Sequence, residues 1–180
     1  MQRISIGFKG PLPTATHNPY LLVIVDEYSR FPFLYSCPDM HTSRVINCLE
    51  LLFSMSGMPD YVHSDRGHSF ISGDLKEYLL KRGVATSNST PYHPQGNCQA
   101  ERYVGAIWKT IQLALRLHKL PDKHWEQVLP QVLHSMRSLL CRTTNCTSHE
   151  RFFFNSRDPW KLSSIMVNEP GAGVVATFRL

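Results

Sequence analysis

Two acidic residues of this chain occupy positions at which a carboxylate often binds a ligand. Asp65 lies at the C-terminal end of a short predicted strand, 60–65, and open α/β sheets place their ligands beyond such ends. Glu101 lies in the first turn of a long predicted helix, on one stripe with Val104 and Trp108, so we predict that it points toward the protein body. Two simpler interpretations stay open, since Asp65 could be a turn former and Glu101 an acid favoured at a helix start.

A third position is notable because it has no side chain. Ile4, Ile6 and Phe8 alternate with smaller or polar residues, which predicts a half-buried strand over 3–9. Gly7 lies inside that strand, where glycine costs conformational entropy and leaves nothing to pack. It could mark a bulge or a close backbone approach, or it could stand where another residue belongs.

Further strands and helices must position these residues. The apolar strand 20–26 is followed by a strand 31–36, which Pro32 assigns to a sheet edge. Three successive strands with short links indicate an antiparallel meander, and the helix–strand alternation after them makes the strand of Asp65 parallel to a neighbour. The later predicted elements are a helix from Thr42 or Ser43 to Gly57, a helix 72–83, a strand 84–88, a loop 89–97, a helix from 98 to about 117, and a helix of about 122–141 bent at Pro130.

The two long helices carry apolar stripes that we expect to face the core. Together with the strands they predict an α/β fold built on a mixed sheet. The stripe residues are Val104, Trp108, Ile111 and Leu115 on the first helix, and Trp125, Val128, Leu129, Val132, Met136 and Leu139 on the second.

Composition narrows the class of protein. The 180 residues suffice for one domain with a real core, and no apolar run approaches the ~18 residues of a membrane span, so we expect no membrane partner. The five cysteines form no CxxC pair, which favours a reduced intracellular protein. A net charge of +5 fits an anionic partner such as nucleic acid.

Two sequence blocks give the carboxylates a context. Asp65 stands in "HSDRGHSF" and Glu101 in "TPYHPQGNCQAERY", and thirty-five residues separate them. These blocks resemble the D,D-35-E integrase core, and more narrowly the integrase of gypsy-type LTR retrotransposons. The resemblance runs from about residue 3 to about 157 and includes "FKGPLP", "VDEYSRFPF", "HWEQVLP" and "SLLCRTTNCTSHERFF". It implies a ribonuclease H-like fold, a five-stranded mixed sheet flanked by helices, over 1–157, with 158–180 as an irregular tail.

The resemblance also implies a reaction. In that family three acidic residues hold two Mg²⁺ or Mn²⁺ ions, which activate water to cut near a cDNA 3′ end and then align the 3′-hydroxyl for attack on target DNA. Hard cations prefer oxygen ligands, and a metal pair clamps the attacking and leaving oxygens. Asp65 matches the second acid and Glu101 the third. The first acid would lie in "IDFKGPLP", whereas this chain has "IGFKGPLP", with Gly7 at that position.

No other acid is expected to substitute. If strands 3–9 and 20–26 form a hairpin, position 7 lies opposite about 21–22 and Asp26 near 2–3, at the far end of the sheet, where a turn-capping role is simpler. Glu27 is no closer, and Asp60 faces the wrong end. Loss of one metal ligand then costs several kcal/mol of transition-state stabilisation, roughly a thousandfold in rate. We therefore predict an impaired enzyme, as in a decayed element copy.

Six residues are candidates for DNA contact. The cations Arg102, Lys109 and Arg116 recur every seven residues along the long helix, so they form one stripe that could contact phosphates or simply face solvent. The resemblance adds residues in or just after the loop 89–97, which could equally be ordinary polar loop residues. They are Tyr92, Asn97 and Gln99.

Competing functions remain open. One is an integrase core that forms a homodimer and acts in the nucleus on element ends and target DNA. The other is a non-catalytic DNA- or partner-binding module on the same fold, and the absence of an acid at Gly7 favours this second function. A ribonuclease H or junction nuclease is disfavoured by the spacing of the acids and the "PYHPQGN" loop. We expect neither the zinc-binding domain that precedes such cores nor the small basic domain that follows them, and hence at most disintegration-type strand transfer.

Overall fold

The computed structural model describes residues 1–88, 94–141 and 144–154, and for 94–100 the backbone alone. The strands of this part of the chain are β1 (Arg3–Lys9), β2 (Tyr20–Asp26), β3 (Pro32–Cys37), β4 (Tyr61–Ser64), β5 (Ala85–Asn88), β6 (Leu140–Cys141) and β7 (Cys146–Thr147). The α-helices are α1 (Thr42–Ser56), α2 (His68–Ile71), α3 (Gly73–Leu80), α4 (Pro94–Leu117), α5 (Leu129–Ser138) and α6 (Ser148–Phe153), and a 3₁₀ helix spans Asp122–Val128.

The predicted five-stranded mixed sheet is confirmed. Its strand order is β3-β2-β1-β4-β5, so the strand that begins at Pro32 is an edge strand, as expected from its proline. The pairs β1–β2 and β2–β3 are antiparallel, whereas β1–β4 and β4–β5 are parallel. The change of direction follows from the crossovers through α1 and α3, because a strand reached through a helix returns parallel to its neighbour.

Both faces of the sheet are buried. Alternate residues of β1 and β2 point to opposite sides, and the run from Leu21 to Asp26 is buried throughout, as expected for a central strand covered by helices on both faces. One face carries Ile4, Ile6, Leu22 and Ile24 and packs with residues of α1 and α3. The opposite face packs with α4, the 3₁₀ helix and α5. This second face contains position 7.

Helix α4 covers the second face with the predicted stripe, to which the structure adds Ile107. Ile107, Ile111 and Leu115 are fully buried, whereas Val104 and Trp108 are only partly buried at the margin of the same cluster. These residues recur at the i, i+3, i+4, i+7 spacing of one helix face, and contact with the sheet decides which of them are buried completely.

Two helix boundaries differ from the prediction. Helix α4 begins at Pro94, four residues before the predicted start, so 94–97 are helical rather than part of a loop. The predicted helix 72–83 is α3 alone, which ends at Leu80 and is preceded by the separate short helix α2. Ser72 makes this division, because its side chain accepts a hydrogen bond from the Leu75 N–H and thereby starts a new helix.

Pro130 does not bend a continuous helix. A 3₁₀ helix ends at Val128, and α5 starts at Leu129 with Pro130 in its first turn. The proline lacks an N–H that would be unpaired there in any case, so it favours a helix start. Because α5 ends at Ser138, the predicted core residue Leu139 lies outside the helix and is 66% exposed.

A hairpin and a short helix after α5 were not predicted. Strands β6 and β7 pair antiparallel, and Thr147 caps α6 through a capping box with Glu150, a pattern that "TSHE" in the sequence could have indicated. Helix α6 packs on the sheet edge by stacking Phe152 on Phe31, with ring centroids 4.5 Å apart. The predicted tail 158–180 lies outside the described residues.

Within the described ranges, no helix combines the length and the apolar character needed to cross a membrane.

Candidate active site

The structure excludes a β-bulge as the reason for Gly7 and argues against a close backbone approach. The β1–β2 ladder is continuous from Ile4 to Lys9, with Gly7 opposite Val23, so there is no bulge at this position. A Cβ atom built on Gly7 would meet Val104 Cγ2 at 3.4 Å, an ordinary van der Waals contact, and the backbone is not in the left-handed region. Neither the strand nor the packing therefore requires glycine.

Asp65 lies next to position 7 across the sheet. Strand β4 pairs parallel with β1 so that Ser64 is opposite Ile6, and Asp65 is the residue that follows. Its half-buried carboxylate accepts a hydrogen bond from the Gly67 N–H to Oδ1 at 2.7 Å. The predicted position of Asp65 at the end of a strand is confirmed, and the hydrogen bond to Gly67 holds its side chain in one orientation.

Glu101 comes to the same region through α4. Val104 packs over Gly7, and Glu101 lies one helical turn before Val104, on the same side of the helix. The side chain of Glu101 is exposed, so the prediction that it points toward the protein body rather than into solvent is wrong. Periodicity correctly placed Glu101 on the same side of α4 as Val104. The turn that contains Glu101 is exposed to solvent, however, whereas Val104 packs against the sheet.

Asp26 does not replace the missing acid. It pairs with Ile4 in the ladder, and Gly7 pairs with Val23, so the predicted register was one to two residues out while the position at the far end of the sheet was right. Its buried carboxylate accepts hydrogen bonds from the N–H of Ser29 at 2.8 Å and from the Ser29 hydroxyl at 2.5 Å. Asp26 is thus a turn-capping residue, as expected.

Glu27 is also engaged at that far end. One of its oxygens accepts a hydrogen bond from the Ser5 hydroxyl at 2.6 Å, and the other lies 2.8 Å from Arg3 Nε. Both partners lie on β1 before position 7, so the carboxylate is held away from Asp65.

The residues present do not fit a two-metal site. Asp65 and Glu101 provide two carboxylates, and the third position of the expected set, Gly7, provides none. In the part of the chain that the structure describes, no group of three or more His, Cys, Asp and Glu side chains could hold a metal ion. No step through a bound metal is therefore derived for this chain.

The other predicted site residues divide into two groups. Arg102, Lys109 and Arg116 are all exposed on α4, which fits a stripe available to a ligand. Asn97 belongs to the first turns of α4 and not to the predicted loop, Gln99 lies in α4 as predicted, and Tyr92 lies outside the described residues. Contact of these six residues with DNA stays a prediction.

Sequence reasoning missed a cleft beside Asp65. It has a volume of about 570 Å³ and combines two cations with the polar end of an edge strand, at the same edge of the sheet as the two acids. A search for basic residues directly after the predicted strand 60–65 could have found Arg66, one of the residues that line this cleft. Among the described residues, those that line the cleft are Arg66, Ile71, Lys76, Thr86, Ser87 and Asn88.

Gly67 was also missed, and its replacement has a predictable effect. A Cβ atom there would lie 2.9 Å from Asp65 Oδ1 and 3.2 Å from Phe70 Cδ2, so Gly67→Ala should displace the Asp65 carboxylate from its hydrogen bond with the Gly67 N–H and lower the free energy of unfolding by about 1 kcal/mol. Gly7→Ala is the matched control, because the methyl group has room and should raise that free energy by about 0.5–1 kcal/mol. Urea unfolding of both variants measures the difference, and equal effects of the two would contradict the packing assigned to Gly67.

With this geometry in view, comparison with known proteins identifies the class. The sequence profile described as "Integrase core domain" matches residues 2–94. The chain therefore belongs to the integrase core domain family. At the level of the family, membership indicates a function in DNA integration.

Its curated relatives include retroviral polyproteins. The chain is 30% identical over 162 residues to the Pro-Pol polyprotein of Simian foamy virus type 3 (strain LK3), which covers 89% of this chain and 14% of that protein. It is 31% identical over 148 residues to the Pro-Pol polyprotein of Simian foamy virus type 1, covering 82% of this chain and 12% of the relative. The chain thus spans only about one seventh of the length of these polyproteins.

Solved structures with the same fold come from retroviral integrases. One is a simian T-cell lymphotropic virus intasome in complex with the PP2A regulatory subunit B56 gamma, with a TM-score of 0.73 and 16% identity over 99% of this chain and 60% of that one. Another is the HTLV-2 integrase catalytic core domain in complex with magnesium, in trimeric form, with a TM-score of 0.66 and 15% identity over 84% of this chain and 95% of that one. They confirm the ribonuclease H-like fold.

Proposed function

We propose that this chain is the catalytic core of a gypsy-type retrotransposon integrase whose chemistry is impaired by Gly7. The ancestral reaction is 3′-end processing and strand transfer of DNA. The observation that carries the proposal is the glycine at position 7 of an unbulged strand, beside Asp65, where a Cβ atom would make only an ordinary contact with Val104. A strand position that accepts a Cβ atom and has no structural need for glycine is what loss of an acid would leave behind.

The proposed cofactor is Mg²⁺ or Mn²⁺, bound weakly. Asp65 and Glu101 would hold the ion, which when bound polarises a phosphodiester and its attacking oxygen. Hard divalent cations prefer several oxygen ligands, so removal of one carboxylate from the set lowers affinity. The HTLV-2 integrase catalytic core domain, a structural neighbour solved in complex with magnesium, supports this choice of ion.

The proposed substrates are element ends and target DNA in the nucleus, bound by a core homodimer. The intasome assembly and the trimeric core among the structural neighbours support association of such cores. The exposed cations of α4 and the two cations of the cleft beside Asp65 support binding of a polyanion near the acids.

Neutralising the α4 stripe should weaken DNA binding in a salt-dependent way. In the triple variant Arg102→Gln, Lys109→Gln and Arg116→Gln, the slope of log K against log salt should fall by about 2–3, because each lost phosphate contact removes about 0.9. A titration of fluorescent duplex DNA at several salt concentrations measures this slope. Lys81→Gln, at the exposed residue directly after α3, is the control, and a triple variant with an unchanged slope would show that the three cations of α4 do not contact DNA.

The second candidate function is a DNA- or partner-binding module without chemistry, which Gly7 also favours. Strand transfer on a branched oligonucleotide in Mn²⁺ separates the two candidates, with the parent chain and Gly7→Asp assayed side by side. Activity in the variant alone supports an integrase core impaired at position 7. If neither protein is active and both bind DNA, the binding module is the better description.

A further inference from the structure

Two cysteines face each other across the short hairpin between α5 and α6. Cys141 ends β6 and Cys146 begins β7, and the antiparallel register makes them direct partners in the ladder. Residues directly opposite each other in an antiparallel pair project to the same face of the sheet. The two side chains therefore lie on one side of the hairpin, and the structure has both as thiols.

The backbone spacing of such a pair matches that of a disulfide. Directly opposed residues of an antiparallel ladder have Cα atoms about 5.5 Å apart in a hydrogen-bonded pair and about 4.5 Å apart in a non-hydrogen-bonded pair. A disulfide joins Cα atoms about 4.4–6.8 Å apart. Both kinds of pair fall within that range, so a bond between Cys141 and Cys146 needs rotation of the side chains and only a small adjustment of the strands.

Backbone hydrogen bonds hold the hairpin in this register. The N–H groups of Thr144 and Asn145 both donate to the Cys141 carbonyl, at 3.2 and 2.8 Å. Asn145 has a φ of 51°, in the left-handed region that asparagine tolerates better than most residues, and it leads the chain directly into Cys146. The turn is thus closed by the backbone without a bond between the sulfur atoms.

The helices on both sides of the hairpin are anchored at the start of β3. Before the hairpin, Arg137 of α5 donates hydrogen bonds from Nε and Nη2 to the Pro32 carbonyl, at 3.2 and 2.9 Å. After it, Phe152 of α6 stacks on Phe31. These contacts limit how far the two strands can separate, so the effective concentration of one thiol at the other is high in the folded chain.

Exposure distinguishes this pair from the other cysteine side chains that the structure describes. Cys141 and Cys146 are half-buried, whereas Cys37 and Cys48 belong to the hydrophobic core, with 0% and 6% of their surface exposed. Access to the thiol is one of the factors that set the rate of thiol–disulfide exchange. A soluble disulfide therefore reaches the hairpin pair before it reaches Cys37 or Cys48.

We propose that Cys141 and Cys146 are a redox modification site, at which a small soluble disulfide such as oxidised glutathione introduces a reversible bond across the hairpin. One cysteine thiolate attacks a sulfur of oxidised glutathione, the glutathione S–S bond breaks, and the leaving glutathione thiolate takes up the proton that the cysteine lost. The other cysteine thiolate attacks the sulfur of the first, the bond to the remaining glutathione breaks, and that glutathione leaves with the second proton. Two cysteines are oxidised, and one oxidised glutathione is reduced to two molecules of glutathione.

The experiment equilibrates the folded full chain with mixtures of reduced and oxidised glutathione, stops the exchange with acid, and labels the remaining thiols with N-ethylmaleimide after denaturation. Oxidising mixtures should remove the label from Cys141 and Cys146 and leave it on Cys37 and Cys48. Trypsin cuts after Arg142, between the two cysteines of the hairpin, so the bond should appear as a link between peptides 138–142 and 143–151. Dithiothreitol should restore both labels.

The same chain in denaturing urea is the matched comparison. The folded chain should form the link at a ratio of oxidised to reduced glutathione roughly tenfold lower, because only the folded hairpin keeps the two thiols opposite each other. Cys146→Ser removes the second thiol, so Cys141 should stop at the mixed disulfide with glutathione. Cys98→Ser should still form the link.

Two results would overturn the proposal, and both are read from the parent chain. One is full labelling of Cys141 and Cys146 in the folded chain in mixtures that link them in urea, and the other is a link at the same ratio in the folded and the unfolded chain. Neither result depends on DNA or metal binding, so the outcome is independent of the proposed integrase function.

Discussion

Gly7→Asp is expected to raise the rate of strand transfer on a branched oligonucleotide in Mn²⁺ by roughly a thousandfold over the parent chain. A restored carboxylate beside Asp65 would complete the set of three acids, and a metal ligand is worth several kcal/mol of transition-state stabilisation, at tenfold in rate per ~1.4 kcal/mol. The strand accepts a Cβ atom at this position, because that atom would lie 3.4 Å from Val104 Cγ2 and the ladder is regular.

The matched control for this variant is Gly7→Asn. It has almost the same size and differs in charge, so it should remain as inactive as the parent chain, since a neutral amide is a poor ligand for a hard cation. Glu101→Gln in the Gly7→Asp background should abolish the gain, because it removes another acid of the same set. A parent chain as active as Gly7→Asp would contradict the assignment of the three acids and require a ligand elsewhere.

Trp125→Ala is expected to lower the free energy of unfolding by about 3–5 kcal/mol, the range for removing a large aromatic ring from a core. Trp125 is fully buried and stands first by volume among the fully buried side chains of the described residues. It joins the 3₁₀ helix to the cluster formed by α4 and the sheet, so its loss loosens the helix that carries Glu101. Urea unfolding followed by far-UV circular dichroism measures the change.

Two further substitutions separate packing from hydrogen bonding at this site. The indole Nε1 of Trp125 is buried without a partner, so Trp125→Phe keeps most of the ring contacts and gives up no hydrogen bond, and it should cost clearly less than Trp125→Ala. Leu113→Ala on the exposed side of α4, where Leu113 is 63% exposed, should change stability by no more than about 0.5 kcal/mol. Equal losses for Trp125→Ala and Leu113→Ala would contradict the position of the core.

Sequence reasoning succeeded where the signal is local. The strand in "ISIGFK", the proline at the start of β3 and the stop at Gly57 depend on neighbouring residues, and all three hold in the structure. The half-burial that the alternation predicted for β1 is wrong, because helices cover both faces of the sheet and Ser5 and Gly7 are buried as well. Sequence reasoning failed where two local signals compete: the proline at 130 was taken as a bend although it starts a helix, and Ser72 was not recognised as a cap between two helices. The sequence pattern alone does not show which of two competing local signals prevails, because the packing of the adjacent elements decides between them.

By itself the sequence determined the order of the five sheet strands and of the long helices, the resemblance to integrase cores and the absence of an acid at position 7, since each depends on residue type and spacing along the chain. Only the tertiary structure decided that no bulge explains Gly7, that α4 crosses β1 at that residue, and that Glu101 is exposed. These facts involve residues on different elements. Periodicity predicts which face of a helix or strand a side chain lies on, since successive residues of a helix are about 100° apart. Which residues that side chain contacts depends on the elements packed against it.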